Sequence, residues 1–260
     1  MKLQGKVALV TGSTSGIGKG IAEELSKSGA EVIILGLPNK EVAEEVAKEI
    51  EAKTGNKATG YKLDVSNEAD VIELISEISN EKNIDILVNN AGIQIIEPVD
   101  EFLTSQWKKL LSINLDGGFY MARECFKAMK DSKKGGKIIN IGSVHSFHAS
   151  KDKAAYVTGK HALVGLTRSL AVEGGEYNIA ANLVAPGFVM TDLVKKQIPE
   201  RAKVEGITEA EVMKSMTSDT VDGKFTTVEE VAKAVEFFAS AESNAYSGQS
   251  LIVSHGWNMR

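Results

Sequence analysis

Short apolar runs alternate with segments of helical periodicity along most of this 260-residue chain. The runs have the length of strands, and between them apolar residues recur every three or four positions, as in Ile17, Ile21 and Leu25. Strands are predicted at residues 6–11, 31–36, 57–62, 84–89, 136–141, 180–185 and 250–253. Helices are predicted from the first strand to Gly29 and at residues 39–53, 66–80, 105–131, 153–173 and 227–239.

This alternation predicts an α/β fold in which the strands pair in parallel through right-handed crossovers. Seven strands with helices on both faces make a doubly wound sheet, and nothing in residues 1–260 marks a second domain. Ligands of such sheets bind outside the carboxyl ends of the strands. Residues 191–224 interrupt the alternation, because they are polar with weak helical segments. We interpret them as a mobile substrate lid, with a plain surface excursion as the alternative.

A glycine-rich turn follows the first strand and precedes the first helix. Gly12, Gly16 and Gly18 have the spacing Gly-x-x-x-Gly-x-Gly, which differs from the Gly-x-Gly-x-x-Gly of the common dinucleotide fingerprint. Such glycines let the backbone approach a pyrophosphate, whose charge the helix N-terminus stabilises. Strand, turn and helix together predict the first unit of a dinucleotide-binding fold.

A tyrosine and a lysine stand one helical turn apart, at Tyr156 and Lys160, with Ser143 upstream. They would project from one face of a helix. A neighbouring ammonium favours the phenolate, so we expect the tyrosine pKa to fall below its ordinary value of roughly 10. The pair would then exchange a proton near neutral pH. Taken alone, it is also typical of a solvated helix face.

Composition narrows the class of protein. Hydrophobic residues make up 43% and charged residues 25%, as in soluble globular proteins, and the net charge of −5 argues against a nucleic-acid partner. No apolar run reaches membrane-spanning length, so neither a membrane partner nor a signal peptide is predicted. The single cysteine, Cys125, is expected to be a small buried residue in a cytoplasmic protein. His145 and His148 lack companion ligands, so no catalytic metal is predicted.

Together these motifs resemble one family. The runs 11–18 and 89–92, Asn114, Ser143, the Tyr156/Lys160 pair and Pro186-Gly187 occur in the order and spacing of the short-chain dehydrogenases/reductases. The resemblance covers essentially the whole chain. It implies a Rossmann-type sheet of seven parallel strands, a nicotinamide cofactor and a homotetramer.

The resemblance also implies catalytic roles. Ser143 would donate a hydrogen bond to the substrate oxygen, and Tyr156 would be the acid/base. Lys160 would hold the nicotinamide ribose and lower the tyrosine pKa. Asn114 would position a water that links Lys160 to solvent. The alternative for Asn114 is a polar helix residue that bonds its own backbone.

Cofactor contacts are implied at positions that match the family motifs. They are Gly12, Thr14, Ser15, Gly16, Ile17, Gly18, Leu37, Asp64, Val65, Asn90, Ala91, Gly92, Tyr156, Lys160, Pro186, Gly187, Val189 and Thr191. NAD is expected rather than NADP, because residues 13–15 and 36–39 carry no cation for a 2′-phosphate. Lys40 is a counter-argument, and no carboxylate closes the second strand to bind the ribose hydroxyls.

Further positions are similar to those of the bacterial D-3-hydroxybutyrate dehydrogenases within this family. The substrate-binding residues implied are Gln94, Ser143, His145, Lys153, Tyr156, Gln197 and Trp257. A short hydroxy acid offers little apolar area, so charged and polar contacts would orient its carboxylate. The function implied is NAD-dependent, reversible oxidation of (R)-3-hydroxybutyrate to acetoacetate.

Two alternatives remain open at this point. One is a ketoreductase for another carbonyl, such as an acyl-carrier substrate, a sugar or a steroid. The other is a regulatory protein that binds a nicotinamide cofactor without turnover, against which the complete catalytic set argues. The chain departs from the family pattern at Gly159, where alanine is usual, at Phe188 in place of a tryptophan, and at 254–256, where Ser-His-Gly replaces Asp-Gly-Gly.

Overall fold

Seven parallel strands form one sheet at the centre of the protein, in the order β3-β2-β1-β4-β5-β6-β7. The structure is a computed structural model that describes residues 1–259, with all of their side chains except those of Leu193 and Asn258; Arg260 lies outside the described residues. The strands are β1 (Val7–Thr11), β2 (Glu31–Gly36), β3 (Ala58–Lys62), β4 (Ile86–Asn89), β5 (Gly136–Ile141), β6 (Ile179–Pro186) and β7 (Ser250–Val253). The predicted α/β fold, with its seven-stranded parallel sheet, is confirmed.

Helices cover both faces of this sheet. They are α1 (Gly16–Lys27), α2 (Lys40–Thr54), α3 (Glu68–Glu81), α4 (Thr104–Leu111), α5 (Gly117–Ser132), α6 (Ala154–Gly174), α7 (Asp192–Glu205), α8 (Glu209–Met216) and α9 (Val228–Ala239). Helices α1, α2 and α9 pack on one face, and α3, α5 and α6 on the other. None of the described helices has both the length and the apolarity needed to cross a membrane.

Strand β1 illustrates why the apolar runs are continuous. Ala8 and Val10 belong to the core under α1 and α9, whereas Leu9 belongs to the core under α3 and α5. Successive strand residues point to opposite faces, and here both faces are buried. Cys125 lies in the second core, fully buried as predicted.

The predicted helix at 105–131 contains a wider turn in its middle. Residues Ser112–Asp116 form a π-helical turn between α4 and α5. At this turn the Asn114 Oδ1 accepts the Ile93 amide at 2.8 Å, and its Nδ2 donates to the Ile93 carbonyl at 2.9 Å. Asn114 therefore does not bond its own backbone, since a long-range partner satisfies both ends of its amide. Single π turns often occur at functional sites.

The lid segment, residues 191–224, contains regular helices instead of the weak helical segments expected from its polarity. Thr191 caps α7, and Thr208 forms a capping box with Glu211 at the start of α8. Ile198 and Val212 are buried between the two helices. Capping and a small local core therefore stabilise helices whose sequence signal is weak.

Candidate active site

A cleft of about 730 Å³ opens at the carboxyl ends of the strands. The glycine turn, the loop after β4, the end of β5, helix α6 and the loop after β6 line it. Sixteen residues predicted for the site lie on its walls: Gly12, Ser15, Gly16, Ile17, Gly18, Asn90, Ala91, Gly92, Gln94, Ser143, Tyr156, Lys160, Pro186, Gly187, Thr191 and Gln197. The structure thus brings together residues from five separate parts of the chain, where a doubly wound sheet binds its ligands.

The glycine turn has no room for side chains on its inner side. A Cβ on Gly18 would lie 2.3 Å from the Gly12 carbonyl oxygen, and one on Gly12, with φ of +61°, would lie 2.9 Å from the Ala91 Cα. The Asn90 Nδ2 holds this turn by donating to the Thr11 and Gly12 carbonyls, at 2.9 and 3.1 Å. Both glycines are therefore required by close backbone contacts.

The outer side of the turn fits an anionic group. At Gly16, the nearest described atom to an added Cβ would be the Thr191 Cγ2, 3.9 Å away. Ser15 precedes α1 without capping its amides through the side chain, among the described contacts. The first amides of α1 thus face open space, and their partial positive charge suits a pyrophosphate.

Two predicted cofactor residues, Thr14 and Leu37, contact each other beside the cleft. The Thr14 hydroxyl donates to the Leu37 carbonyl at 3.2 Å. Beyond them, Lys40 lies 3.4 Å from the Glu44 carboxylate on the exposed start of α2. This lysine is thus paired within its own helix.

Three further predicted cofactor residues do not line the cleft. The Asp64 carboxylate accepts bonds from the Ser66 amide and hydroxyl, at 3.0 and 2.7 Å. Val65 is buried. Val189 is 6% exposed and packs in the core under α1 and α9, because the chain pairs there with Thr226. A contact from Val189 to a cofactor would therefore involve its backbone.

Lys160 is buried and Tyr156 is half-buried, which the sequence does not predict. Lys160 is 5% exposed, and its Nζ donates to the Ile141 carbonyl at 2.7 Å and lies 5.7 Å from the Tyr156 ring centre. Burial lowers the Lys160 pKa to about 8. Burial also raises the Tyr156 pKa, while a hydrogen bond with Ser143 opposes this. The Tyr156 pKa is therefore raised instead of lowered as expected, because burial outweighs the hydrogen bond with Ser143.

Ser143 is held by its own turn at the end of β5. Its Oγ accepts the His145 amide at 3.2 Å, and the Ser146 Oγ accepts the Ser143 amide, also at 3.2 Å. Of these two bonds, only the one from the His145 amide uses the Ser143 hydroxyl, as an acceptor, and it leaves the hydroxyl proton available. The hydroxyl can therefore donate to an oxygen atom in the cleft.

Lys153 and His145 form a polar pair beside Tyr156. The Lys153 Nζ lies 3.3 Å from the His145 Nε2 and 5.9 Å from the Phe188 ring centre. Burial and the Lys153 charge lower the His145 pKa to about 4, so the imidazole is neutral at pH 7. Burial also lowers the Lys153 pKa. A neutral imidazole that accepts from Lys153 at Nε2 carries its proton on Nδ1, which is buried without a partner among the described residues.

Aromatic rings complete this side of the site. The Trp257 ring lies 5.4 Å from His145 and 5.6 Å from Phe188, and His145 lies edge-on to Tyr156 at 5.9 Å. Three predicted substrate residues, His145, Lys153 and Trp257, thus cluster next to the cleft without lining it. Gln94 reaches the cleft wall from the loop after β4, and Gln197 reaches it from helix α7.

Five residues that line the cleft were not predicted from the sequence: Ile93, Ile96, Ile141, Gly142 and Asp192. Ile96, in the loop after β4, is 59% exposed, and Asp192 is the first residue of α7. Each of the five lies at the carboxyl end of a strand or a few residues beyond it. That position was the available signal, but it carries no residue-type pattern.

Comparison with known proteins agrees with this geometry. The short chain dehydrogenase family matches residues 6–202. The chain is 36% identical to a D-beta-hydroxybutyrate dehydrogenase of Rhizobium meliloti over 255 residues, covering 97% of this chain and 98% of the relative. It is 37% identical to the 3-oxoacyl-[acyl-carrier-protein] reductase of Aquifex aeolicus over 257 residues, covering 98% of each.

A solved structure extends the agreement. The crystal structure of a gluconate 5-dehydrogenase from Burkholderia cenocepacia, in complex with NADP and tartrate, superposes with a TM-score of 0.89 at 36% identity. The alignment covers 99% of this chain and 97% of that one. The shared architecture, the glycine turn and the Tyr156/Lys160 pair identify an oxidoreductase with a nicotinamide cofactor, and this chain belongs to the short-chain dehydrogenase family.

Proposed function

We propose that this protein oxidises (R)-3-hydroxybutyrate to acetoacetate with NAD, and catalyses the reverse reaction. The observation that carries the proposal is the position of Lys153, whose ammonium touches His145 while His145 lies against Tyr156. A cation thus stands beside the proton-transfer residue without being part of it. That is the arrangement needed to hold the carboxylate of a short acid whose hydroxyl reacts.

The polar side chains around the cleft suit such an acid. Lys153 supplies a charge, while Gln94, Gln197 and the neutral His145 supply hydrogen bonds. Trp257 and Phe188 cover the aliphatic part of the substrate. A short acid has few apolar atoms, so these polar contacts would determine both its orientation and the selectivity for it.

The reaction removes a hydride from C3 and a proton from the hydroxyl. When bound, the nicotinamide supplies the hydride acceptor. The Tyr156 oxygen, as phenolate, takes the hydroxyl proton, and as phenol it returns the proton in the reverse reaction. Ser143 donates a hydrogen bond to the same substrate oxygen. Lys160 binds the nicotinamide ribose, and Asn114 positions a water that connects Lys160 with solvent.

The two protonation states of Tyr156 serve opposite directions of the reaction, and burial decides which state is present at neutral pH. The raised Tyr156 pKa keeps the phenol protonated at neutral pH, which is the form needed for reduction of the ketone. Oxidation needs the phenolate. The proposal therefore includes an oxidation rate that increases with pH.

We place the adenine side of NAD along Thr14, Leu37, Asp64 and Val65. NAD is preferred over NADP in this proposal, because the nearest cation beyond the second strand, Lys40, pairs with Glu44. The NADP in the solved relative is the observation that favours the other cofactor. Comparing kcat/KM for NAD and NADP tests this choice, and a preference for NADP would contradict it.

A second candidate function is reduction of another carbonyl, such as a 3-oxoacyl carrier substrate or a sugar acid. The names of the acyl-carrier reductase and gluconate 5-dehydrogenase relatives support it. Its catalytic residues would be the same, so only the carboxylate contacts discriminate. We also propose a cytoplasmic homotetramer, which follows from the family resemblance and the single cysteine.

Absorbance of the reduced nicotinamide tests the substrate. Purified protein with NAD is offered (R)-3-hydroxybutyrate, its methyl ester and gluconate, and in reverse acetoacetate and an acetoacetyl thioester. We expect turnover of (R)-3-hydroxybutyrate and acetoacetate, and weak turnover of gluconate, the ester and the thioester. Equal use of acid and ester would contradict the proposal and favour the second candidate.

A further inference from the structure

The C-terminal turn and the segment that follows α8 are joined side by side. We call residues 217–224, which lead from the end of α8 towards α9, the anchor segment. The Trp257 Nε1 donates to the Asp219 Oδ2 at 3.0 Å, and the Val221 amide donates to the His255 carbonyl at 2.8 Å. A Cβ on Gly256 would lie 2.7 Å from the Val221 side chain, so the two segments pack without a gap.

A second polar contact joins the same two segments. The His255 Nδ1 lies 2.9 Å from the Asp222 Oδ2, and its Nε2 lies 3.3 Å from the Glu230 Oε2 on α9. His255 has φ of +51°, a left-handed conformation that favours glycine and is strained for a histidine. The contacts with two carboxylates offset that strain and hold the turn in place.

The opposite side of Trp257 faces the reaction centre. Its ring packs edge-on against His145, which touches both Lys153 and Tyr156. An indole has one N–H, and in Trp257 it donates to the Asp219 carboxylate. That bond fixes the rotation of the ring, and thereby the surface that the ring presents to His145.

We propose that Asp219 is a positioning residue for substrate binding, acting through Trp257, and that His255 fixes the anchor segment from which Asp219 acts. This inference rests on the proposed hydroxy-acid site, since it assigns Trp257 to the wall of that site. Asp219 itself contacts neither substrate nor cofactor in this proposal. Its effect is to keep the indole in the one orientation that packs against both His145 and Phe188.

The anchor segment also follows directly after the lid segment's helices. Asp219 and Trp257 therefore couple the C-terminal end of the lid to the substrate wall. Loss of the bond would loosen that wall and leave the Tyr156/Lys160 pair, which α6 carries, in place. Substrate affinity should respond, while the chemical step and cofactor affinity should not.

Steady-state kinetics with (R)-3-hydroxybutyrate and the emission of Trp257 test the proposal together. In a Trp107→Phe background Trp257 is the only tryptophan, and its emission reports the indole environment directly. We expect Asp219→Ala to raise KM roughly 3- to 10-fold, the range for loss of one hydrogen bond, with kcat changed less than about twofold. The emission should shift, and NADH binding should stay unchanged.

Asp219→Asn is the conservative variant, because its amide oxygen still accepts the indole N–H. It should restore KM and emission close to those of the parent. Glu200→Ala, an exposed carboxylate on α7, is the matched control and should change neither. A purely structural role would instead lower kcat, substrate affinity and NADH affinity together.

Three results would overturn the proposal: an unchanged KM in Asp219→Ala, a joint loss of kcat and NADH binding, or an Asn variant as impaired as the Ala variant. Failure of the proposed substrate is distinguishable. If the wild-type protein does not oxidise 3-hydroxybutyrate, the KM comparison is made with the acid or ketone from the same panel that it does use. The emission and NADH measurements need no substrate.

Discussion

The Lys153 ammonium lies 3.3 Å from the His145 Nε2. Lys153 precedes Tyr156 by three residues, about one helical turn. His145 is buried and Lys153 is half-buried, and burial is the first cause of the lowered pKa of each. A desolvated cation with a neutral partner gains most from an added carboxylate. This relationship leads to the first prediction.

Lys153→Met should mainly raise KM for (R)-3-hydroxybutyrate. Removing one partner of a desolvated charge pair typically costs about 2–5 kcal/mol, a loss of roughly 30- to several-thousand-fold in kcat/KM. The methyl ester, which lacks the charge, should lose much less. Lys151→Met, an exposed lysine in the same loop, serves as the control. Equal losses for acid and ester would show that Lys153 does not bind a carboxylate.

Tyr156→Phe should remove most turnover and leave NADH binding nearly intact, because only the proton-transfer oxygen is lost. Acid/base catalysis typically contributes about 10²–10⁴-fold. Calorimetric NADH binding checks that the variant is folded. Turnover close to that of the wild type would end the proposed mechanism.

Oxidation by the wild-type protein should accelerate as the pH rises from 7 to 9. The reason is that burial raises the Tyr156 pKa, so the phenolate needed for oxidation is scarce at neutral pH. Reduction of acetoacetate uses the phenol and should show no such rise. Profiles of kcat/KM in both directions measure this. An oxidation rate that falls over this range would contradict the assignment of Tyr156 as the base.

Gly159→Ala should stabilise the protein. An added Cβ would meet Leu111, Asn114 and Leu110 only at 3.5 Å or more, which is ordinary contact. Alanine in a helix interior is favoured over glycine by about 0.5–1 kcal/mol, equivalent to a rise of about 1–4 °C in Tm. Calorimetry of the ligand-free protein measures it.

Gly60→Ala is the opposite case, because its Cβ would lie 2.3 Å from the Ala43 backbone. That variant should unfold at a lower temperature than the wild type. A Gly159→Ala variant with a lowered Tm would contradict the prediction and show that the helix next to Lys160 requires a residue without a side chain.

His255 should make stability depend on pH. The hydrogen bond with Asp222, followed by that with Glu230, raises the His255 pKa against the effect of burial. Although burial opposes it, the pKa of Asp222 is lowered by hydrogen bonds with His255 and with the Lys224 amide. The pKa of Glu230 is lowered first by the hydrogen bond from the Thr227 amide. Asp219, another carboxylate of the anchor segment, accepts its hydrogen bond from the Trp257 indole.

A raised histidine pKa adds stability that is fully present below its unfolded value, near 6.5, and is lost as pH rises through the folded pKa. The contacts should therefore be strongest from about pH 5 to 6.5. The Tm of the wild type relative to that of His255→Gly should fall by about 1 °C from pH 6 to pH 9. The change is small because exposed pairs contribute little to stability. His161→Gln, on the surface of α6, is the control. A difference that is constant across this range would contradict the role of the imidazolium.

The order of strands and helices followed from the sequence alone. Both faces of the central strands are buried, so strands such as β1, β2 and β4 are continuous apolar runs, and helices covering the sheet must show one apolar face. The glycine turn was equally legible, because close backbone contacts at Gly12 and Gly18 exclude any other residue. The resemblance to the short-chain dehydrogenases added the roles proposed for Ser143 and Tyr156.

Other features were decided only by the tertiary structure. The Tyr156 pKa depends on how much water reaches the phenol, and Lys160 binds the Ile141 carbonyl from another element. The contact of Asp219 with Trp257 joins residues 38 positions apart, and no local pattern marks either as a partner of the other. Periodicity records which side of an element is buried. Which polar atoms meet, and how far they are desolvated, is set by contacts between distant segments that exist only once the chain has folded.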